Sequence, residues 1–370
     1  MKHLTLTLLF LYGFLSALFA NDPGDVNLKK GFVIGNPEIQ SINSIDFGPE
    51  NLLFIGDATS ASVIAVDLTG KSTEQGSEIN ISSVDKTLAM QMGTTEDQIE
   101  IIDMAVNPAT KQIFLAVQHS SGKSMLFKVE GEKFVAVPLD EVSHSKQSLV
   151  DAVAEDAKDK RGRSLRQWAI SDLKYENGQI MLTGLSNKEF GSTFRSIAFP
   201  FNEKQSYGSL EIYHAAHGQY ETQSPVKTFM PITLNDEPYI IASYTCTPLV
   251  IFPMSELENG EHTKGKTVAE LGNWNTPLDI VELTNGNERF VFLANSSRAL
   301  MKIKVKDIET FSNYLTTPVE ERSATDGVEF IALPFVNVMQ LAKLSDDTFA
   351  MLQRTSKGDL VLSTGGNRWL

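Results

Sequence analysis

The stretch Ile102–Leu139, IDMAVNPATKQIFLAVQHSSGKSMLFKVEGEKFVAVPL, decides the fold. It opens with a short apolar segment around Asp103, continues through QIFLAV (112–117) and SMLFKVE (124–130), and ends in KFVAVPL (133–139). Each run is short, rich in β-branched and aromatic residues, and bounded by Gly, Ser, Asn or Pro, the pattern of successive antiparallel strands. The same order recurs elsewhere in the chain. Ser44-Ile45-Asp46-Phe47, Ser171-Asp172-Leu173, Lys227-Thr228-Phe229, Leu278-Asp279-Ile280 and Met339-Gln340-Leu341 are followed by LLFIGD, QIMLTG, YIIASY, FVFLAN and TFAMLQ, and then by SVIAVDL, TFRSIAFPF, PLVIFPM, ALMKIKV and GDLVLS. A unit of this size cannot cover both faces of its own sheet, so the copies must stack, and a closed ring covers every sheet on both sides. The expected fold is an all-β, six-bladed β-propeller.

Fourth strands are legible as KFVAVPL, SLEIYHA, TVAEL and GVEFIAL, with a weaker EINIS (78–82) after the first copy. The sixth copy has none before Leu370, whereas GFVIG (31–35) precedes the first copy unused. Pairing the two in one sheet would remove an open edge, so the ring is expected to be closed by the N-terminal strand.

Residues 1–20 have the form of a secretory leader: Lys2 and His3, an apolar stretch Leu4–Leu15, then small residues before Asn21-Asp22-Pro23. The expected mature chain is a single propeller domain over 21–370, secreted or periplasmic, with no membrane-spanning segment after cleavage. Its formal charge of −14 becomes −15 when Lys2 is lost, and so acidic a surface argues against nucleic acid as a partner. The single Cys246 excludes an intrachain disulfide.

Two segments interrupt the repeat, 83–99 and 142–168, and both carry helix-forming residues. As connections between blades they belong on the same face as the turns between second and third strands, so both are expected to overhang one mouth of the central channel. That face should carry Asp57, His119, Asn187, Glu189, Asn295, Arg298 and Arg354 from the turns. The connections add His217, Tyr220, Glu221, Asn273, Trp274 and Asn275. Loops on a rigid scaffold are where binding concentrates, although polar turn residues also serve the backbone alone. A protein partner or small-molecule ligand is expected there. The basic run Lys158, Lys160, Arg161, Arg163 and Arg166 stands out in an acidic chain.

Two groups of residues suit metals. Asp46, Asp103, Asp172 and Asp279 take equivalent places on four inner strands and would suit calcium, which needs six to eight oxygen ligands. Alternatively each accepts backbone hydrogen bonds within its own blade, which is favoured because the other two copies carry Thr228 and Gln340. His214, His217 and Cys246, with Glu221 as a fourth ligand or base, offer two imidazoles and a thiolate suited to zinc or copper. Against this, a strand running through both histidines would point them to opposite faces, and a lone cysteine usually packs as a small apolar residue.

There is no Walker loop, GxSxG, HExxH or CxxC. By strand and turn pattern over 31–366 the chain resembles the secreted propellers that include NHL-type, gluconolactonase-like and YVTN or quinoprotein-like members. A gluconolactonase-like relationship would imply a central divalent cation held by Glu, Asp and Asn, for which the four aspartates and Asn295 are candidates. Two functions remain open: a non-catalytic binding propeller, and a metal-dependent enzyme of lactonase or oxidoreductase type.

Overall fold

The computed structural model describes residues 27–370 apart from 77, 258, 259 and 322. The leader at 1–20 lies outside the described residues. The second strand of each unit explains why the sequence forms sheets buried on both sides. Leu52–Asp57 is buried at every position, and Ile113–His119, Glu237–Tyr244 and Glu288–Asn295 nearly so over their central residues. Continuous apolar runs, in place of the alternation of a half-solvated strand, require a neighbour on each face. Six sheets meet this requirement by standing as blades around a channel, which confirms the expected six-bladed, all-β propeller.

Blades are numbered one to six in chain order, with inner strands Ser44–Phe47, Ile99–Val106, Asp172–Glu176, Val226–Leu234, Pro277–Asn285 and Val338–Lys343. Their order around the ring differs from their order in the chain. The inner strand of blade one lies between those of blades two and three, and that of blade six lies against blade two. The cores between blades agree. Phe114 and Leu126 of blade two pack with Ile55 and Ile64 of blade one, while Leu115 and Phe127 pack with Ala350 and Leu352 of blade six. Leu182 and Ile197 of blade three pack with Phe54 and Val63 of blade one. The circuit is therefore two, one, three, four, five, six.

This transposition corrects how the ring closes. An early strand does complete blade six, but it is Asn80–Ile81 of EINIS, which pairs with Leu360–Gly365 at Ile81↔Leu362. GFVIG instead supplies Val33–Gly35, an outermost fifth strand on blade one. Blade one takes its fourth strand, Val142–Ser148, from beyond blade two, pairing His144 with Val66. The helical expectation for 142–168 is thus overturned over its first seven residues. VSHSKQS buries Val142, His144 and Gln147 once it lies on a sheet, and its polar side chains, with Lys146 exposed where a period of two would bury it, concealed the strand. The rest of 142–168 is irregular, ending in a short 3-10 turn at Arg166–Trp168. The other insertion is helical, with Val84–Met92 capped by left-handed Gly93 and with Val84 and Leu88 buried between blades six and two.

Both insertions sit on the face carrying the turns between second and third strands. Arg166 Nε donates to Thr59 O in the blade-one turn at 3.0 Å, and His119 Nε2 in the blade-two turn lies 3.2 Å from Thr94 Oγ1. Among the described residues no helix is long and apolar enough to cross a membrane.

Closure by the internal strand has a measurable consequence. Ile81 is 6% exposed, and replacing it with Ala should cost about 2–4 kcal/mol in urea unfolding. Ile34, 80% exposed on the outermost strand, should change stability by no more than about 0.5 kcal/mol when replaced with Ser. The reverse ranking would contradict the closure described.

Candidate functional site

The inner strands bring one side chain each to a common layer of the channel: Ser44, Asp103, Asp172, Thr228, Asp279 and Gln340. The hydrogen bonds define this layer, because an acceptor in it receives the backbone N–H that follows the layer residue of the next blade. Asp103 Oδ2 accepts from Ile45 N at 2.7 Å, Ser44 Oγ from Leu173 N at 3.1 Å, Asp172 Oδ2 from Phe229 N at 3.0 Å, and Asp279 Oδ2 from Leu341 N at 2.8 Å. Gln340 Nε2 completes the step from blade six to blade two by donating to Ile102 O at 3.0 Å. All five run the same way around the circuit. The same acids also accept within their own blades, as the sequence suggested, Asp103 Oδ1 from Met104 N at 2.8 Å, Asp172 Oδ1 from Leu173 N at 2.7 Å and Asp279 Oδ1 from Ile280 N at 2.8 Å, so each bonds inside its blade and ties that blade to the next.

Asp46 is not the equivalent of the other three aspartates. Ser44 holds that place, and Asp46 lies two residues deeper, accepting from Tyr175 N at 2.7 Å. Lys174 stands at the same depth on blade three, since it too is two residues past its layer residue. Its ammonium approaches Asp172 Oδ1 at 3.4 Å, and its side chain, enclosed by the ring, keeps 22% of its accessibility through the channel alone. Burial opposes this charge, but Asp172, Asp279, Asp46 and Asp103 outweigh it and hold the ammonium above the usual lysine range. Burial raises the acids too: Asp103 to about 6 and Asp279 to about 8, with Lys174 pulling the other way and neighbouring aspartates adding to the rise. Asp46 is raised in the same manner. A fixed cation already occupies the place where the four carboxylates suggested calcium.

Above this layer the channel opens into a cavity of about 350 Å³ on the insertion-bearing face. Asp103, Asp172, Asp279 and Gln340 form its floor, and Glu100, Trp168 and Lys227 stand higher on its wall. Lys227 Nζ rests 4.2 Å from the centre of the Trp168 ring. Sequence reasoning missed Trp168, Lys227 and Lys174 because nothing in their local patterns marks the channel; only the ring order brings them together.

The remaining face residues divide by burial. Asp57, Asn275 and Asn295 are buried and serve the backbone: Asp57 accepts from Gln40 N and Ser41 N, Asn275 Oδ1 accepts from Ser297 N, and Asn295 Nδ2 donates to Leu293 O. Arg354 pairs with Asp85 at 3.1 Å, and Arg298 donates to Ser323 O. Asn187, Glu189, Tyr220 and Trp274 are exposed, Trp274 by 85% beside half-buried Asn273.

A second cluster lies between blades three and four. The outer strand Gln205–His214 ends at the first histidine, and a tight turn through Gly218, at φ 66°, leads to Gln219–Glu221. Gly218 N and His217 N both donate to His214 O. The turn folds the imidazoles onto each other, with ring centres 3.8 Å apart. A continuing strand would have separated them. Glu221 pairs across from Ile212, so it emerges on the same side as His214. Its oxygens lie 2.6 Å from His217 Nδ1 and 3.2 Å from His214 Nδ1, the latter without hydrogen-bond alignment. Burial opposes ionisation of Glu221, but His214, His217 and Ser224 outweigh it and hold the carboxyl well below its usual range. Cys246 does not join this group. It occupies a left-handed turn at φ 67° whose N–H donates to Asn275 O, and burial raises its thiol above the ordinary value.

No family model matches the chain, and no curated protein does. Solved structures with a similar chain path include the PQQ-bound aldose sugar dehydrogenase of Streptomyces coelicolor, at 11% identity and TM-score 0.35 over 91% of this chain and 98% of that one. A putative glucose dehydrogenase of Thermus thermophilus gives 10% identity and TM-score 0.35 over 90% and 100%. Chaetomium thermophilum Raptor gives 9% identity and TM-score 0.34 over 91% of this chain and 29% of its own. At these values the likeness says nothing about the fold or the activity of this chain.

The channel charges predict a pH-dependent stability. Asp103 and Asp279 bind their protons more tightly folded than unfolded, where a carboxyl titrates near 3.9. Their contribution is therefore greatest below pH 4 and falls as pH rises towards about 8. Asp279→Asn keeps an acceptor for Leu341 N–H but turns an amide donor towards Ile280 N–H, so it should melt below wild type at pH 4, with the deficit shrinking as pH rises to 8. Lys174→Met should cost about 3 kcal/mol at pH 8 and less at pH 5.

Proposed function

We propose that this chain is an extracytoplasmic binding propeller whose ligand is a small organic cation seated in the channel mouth. The observation that carries this reading is the cavity of about 350 Å³ with three carboxylates on its floor and an indole on its wall. That size suits a small molecule, and a few convergent polar groups beside an aromatic wall are what orient one. Lys174 offsets one of the surrounding charges, so Asp46, Asp103, Asp172 and Asp279 leave the inner channel net negative once ionised. Trp168 already carries the ammonium of Lys227 on its ring, so the ring can hold a cation, and an incoming organic cation would take that place by displacing Lys227. The extracytoplasmic placement rests on the leader-like sequence of residues 1–20.

A bound cation would lower the affinity of Asp103 and Asp279 for protons, so binding would release protons and strengthen as pH rises towards about 8, levelling off above it. Thermal shifts should therefore be measured at pH 6 and pH 8 with small amines, neutral sugars and carboxylic acids. Amines alone are expected to raise the melting temperature, more so at pH 8, with the effect lost in Asp103→Asn and Trp168→Ala. An equal response to sugars, or an amine response that survives both substitutions, would end this reading.

A further inference from the structure

We propose that His214, His217 and Glu221 form a binding site for a zinc-class divalent cation, separate from the channel. One donor atom from each residue comes within 4.8 Å of the others, and this is the one such group of three among the described residues. The Nδ1 atoms of both imidazoles face the Glu221 carboxylate at 3.2 and 2.6 Å. Ligands held about 2.0–2.1 Å from a tetrahedral zinc lie about 3.3 Å from one another, so only a small adjustment is needed to admit the ion.

The second observation is a concentration of unanswered polar atoms. His214 is 1% exposed, yet neither ring nitrogen makes a hydrogen bond. Glu270 is fully buried in the same pocket with Oε2 unpaired, and Tyr244, 1% exposed and within electrostatic reach of Glu221, leaves its hydroxyl unpaired. Buried donors and acceptors of this kind are rare in folded proteins, and four of the nine such side-chain atoms among the described residues belong to these three residues. An ion on Nδ1 of His214 would answer the first of them. It would also leave Nε2, 3.9 Å from Glu270 Oε1, as a donor towards that carboxylate, the arrangement that fixes ring orientation in many histidine–metal centres. His217, with a side chain 35% exposed, forms the open side through which an ion and a water ligand enter.

Two neutral imidazoles and one carboxylate suit zinc and its borderline neighbours and do not suit calcium, which requires more oxygen ligands. The ligands come from one outer strand, its turn and the return strand, so no blade has to move.

The test is a titration of zinc chloride into chelator-stripped protein, followed by calorimetry and melting temperature. The expected result is one zinc per chain, with a melting temperature raised by about 3 °C or more at a hundredfold excess over Kd. His217→Ala and Glu221→Gln should each weaken binding at least a hundredfold; His217→Ala, at an exposed turn position, should melt close to wild type without zinc, whereas Glu221→Gln also loses the carboxylate held by its neighbours and should melt lower. Glu270→Gln, acting through His214, should weaken binding about tenfold and keep the stoichiometry. Cys246→Ser and His119→Ala should bind as wild type does. Absence of binding to wild type, unchanged binding in His217→Ala, or an equal loss in His119→Ala or Cys246→Ser would overturn the assignment.

Discussion

The ring depends on side-chain acceptors that take the backbone N–H of a neighbouring blade's inner strand. An inner strand lies at a sheet edge and would otherwise turn unpaired amides towards the channel. Asp103, Ser44, Asp172 and Asp279 answer these amides one blade at a time, and their direction is constant around the circuit. A carboxylate is a strong acceptor for this purpose, but three of them with Asp46 crowd one narrow space. Lys174 makes this crowding tolerable. The charge pattern of the channel is first a solution to a packing problem, and the polar floor of the mouth is its by-product.

Much of this was legible in the chain, and the limits are physical. Strands such as LLFIGD and FVFLAN declare burial on both faces, which is enough to specify stacked sheets and the number of blades. They say nothing about which blade is next to which, because an apolar run fits equally well against any other. EINIS and VSHSKQS are therefore found on blades other than those their chain positions suggest. GFVIG has the composition of a core strand, yet Val33 and Ile34 are 60% and 80% exposed on the outside of blade one. At the histidine cluster, the residue types were visible but their convergence was not. It depends on the strand stopping at His214 and on a left-handed Gly218.

The channel mouth and the histidine cluster differ in chemistry as well as in place. The first offers oxygen acceptors fixed by the blades and open to solvent along the axis. The second presents imidazole nitrogens beside a carboxylate in a largely closed pocket between two blades. A ligand suited to one is poorly suited to the other.

The transposed circuit also sets an order of events for folding. Blade one cannot be completed until residues 142–148 exist, after all of blade two has been made. Blade six cannot be completed by Asn80–Ile81 until Leu360–Gly365 exist, after all five other blades have begun. Pairings this distant in sequence are slow to form because the intervening chain must first be confined. A growing chain therefore holds Asn80–Ile81 without its partner long after blade one is complete, and the ring closes only once Leu360–Gly365 has been made.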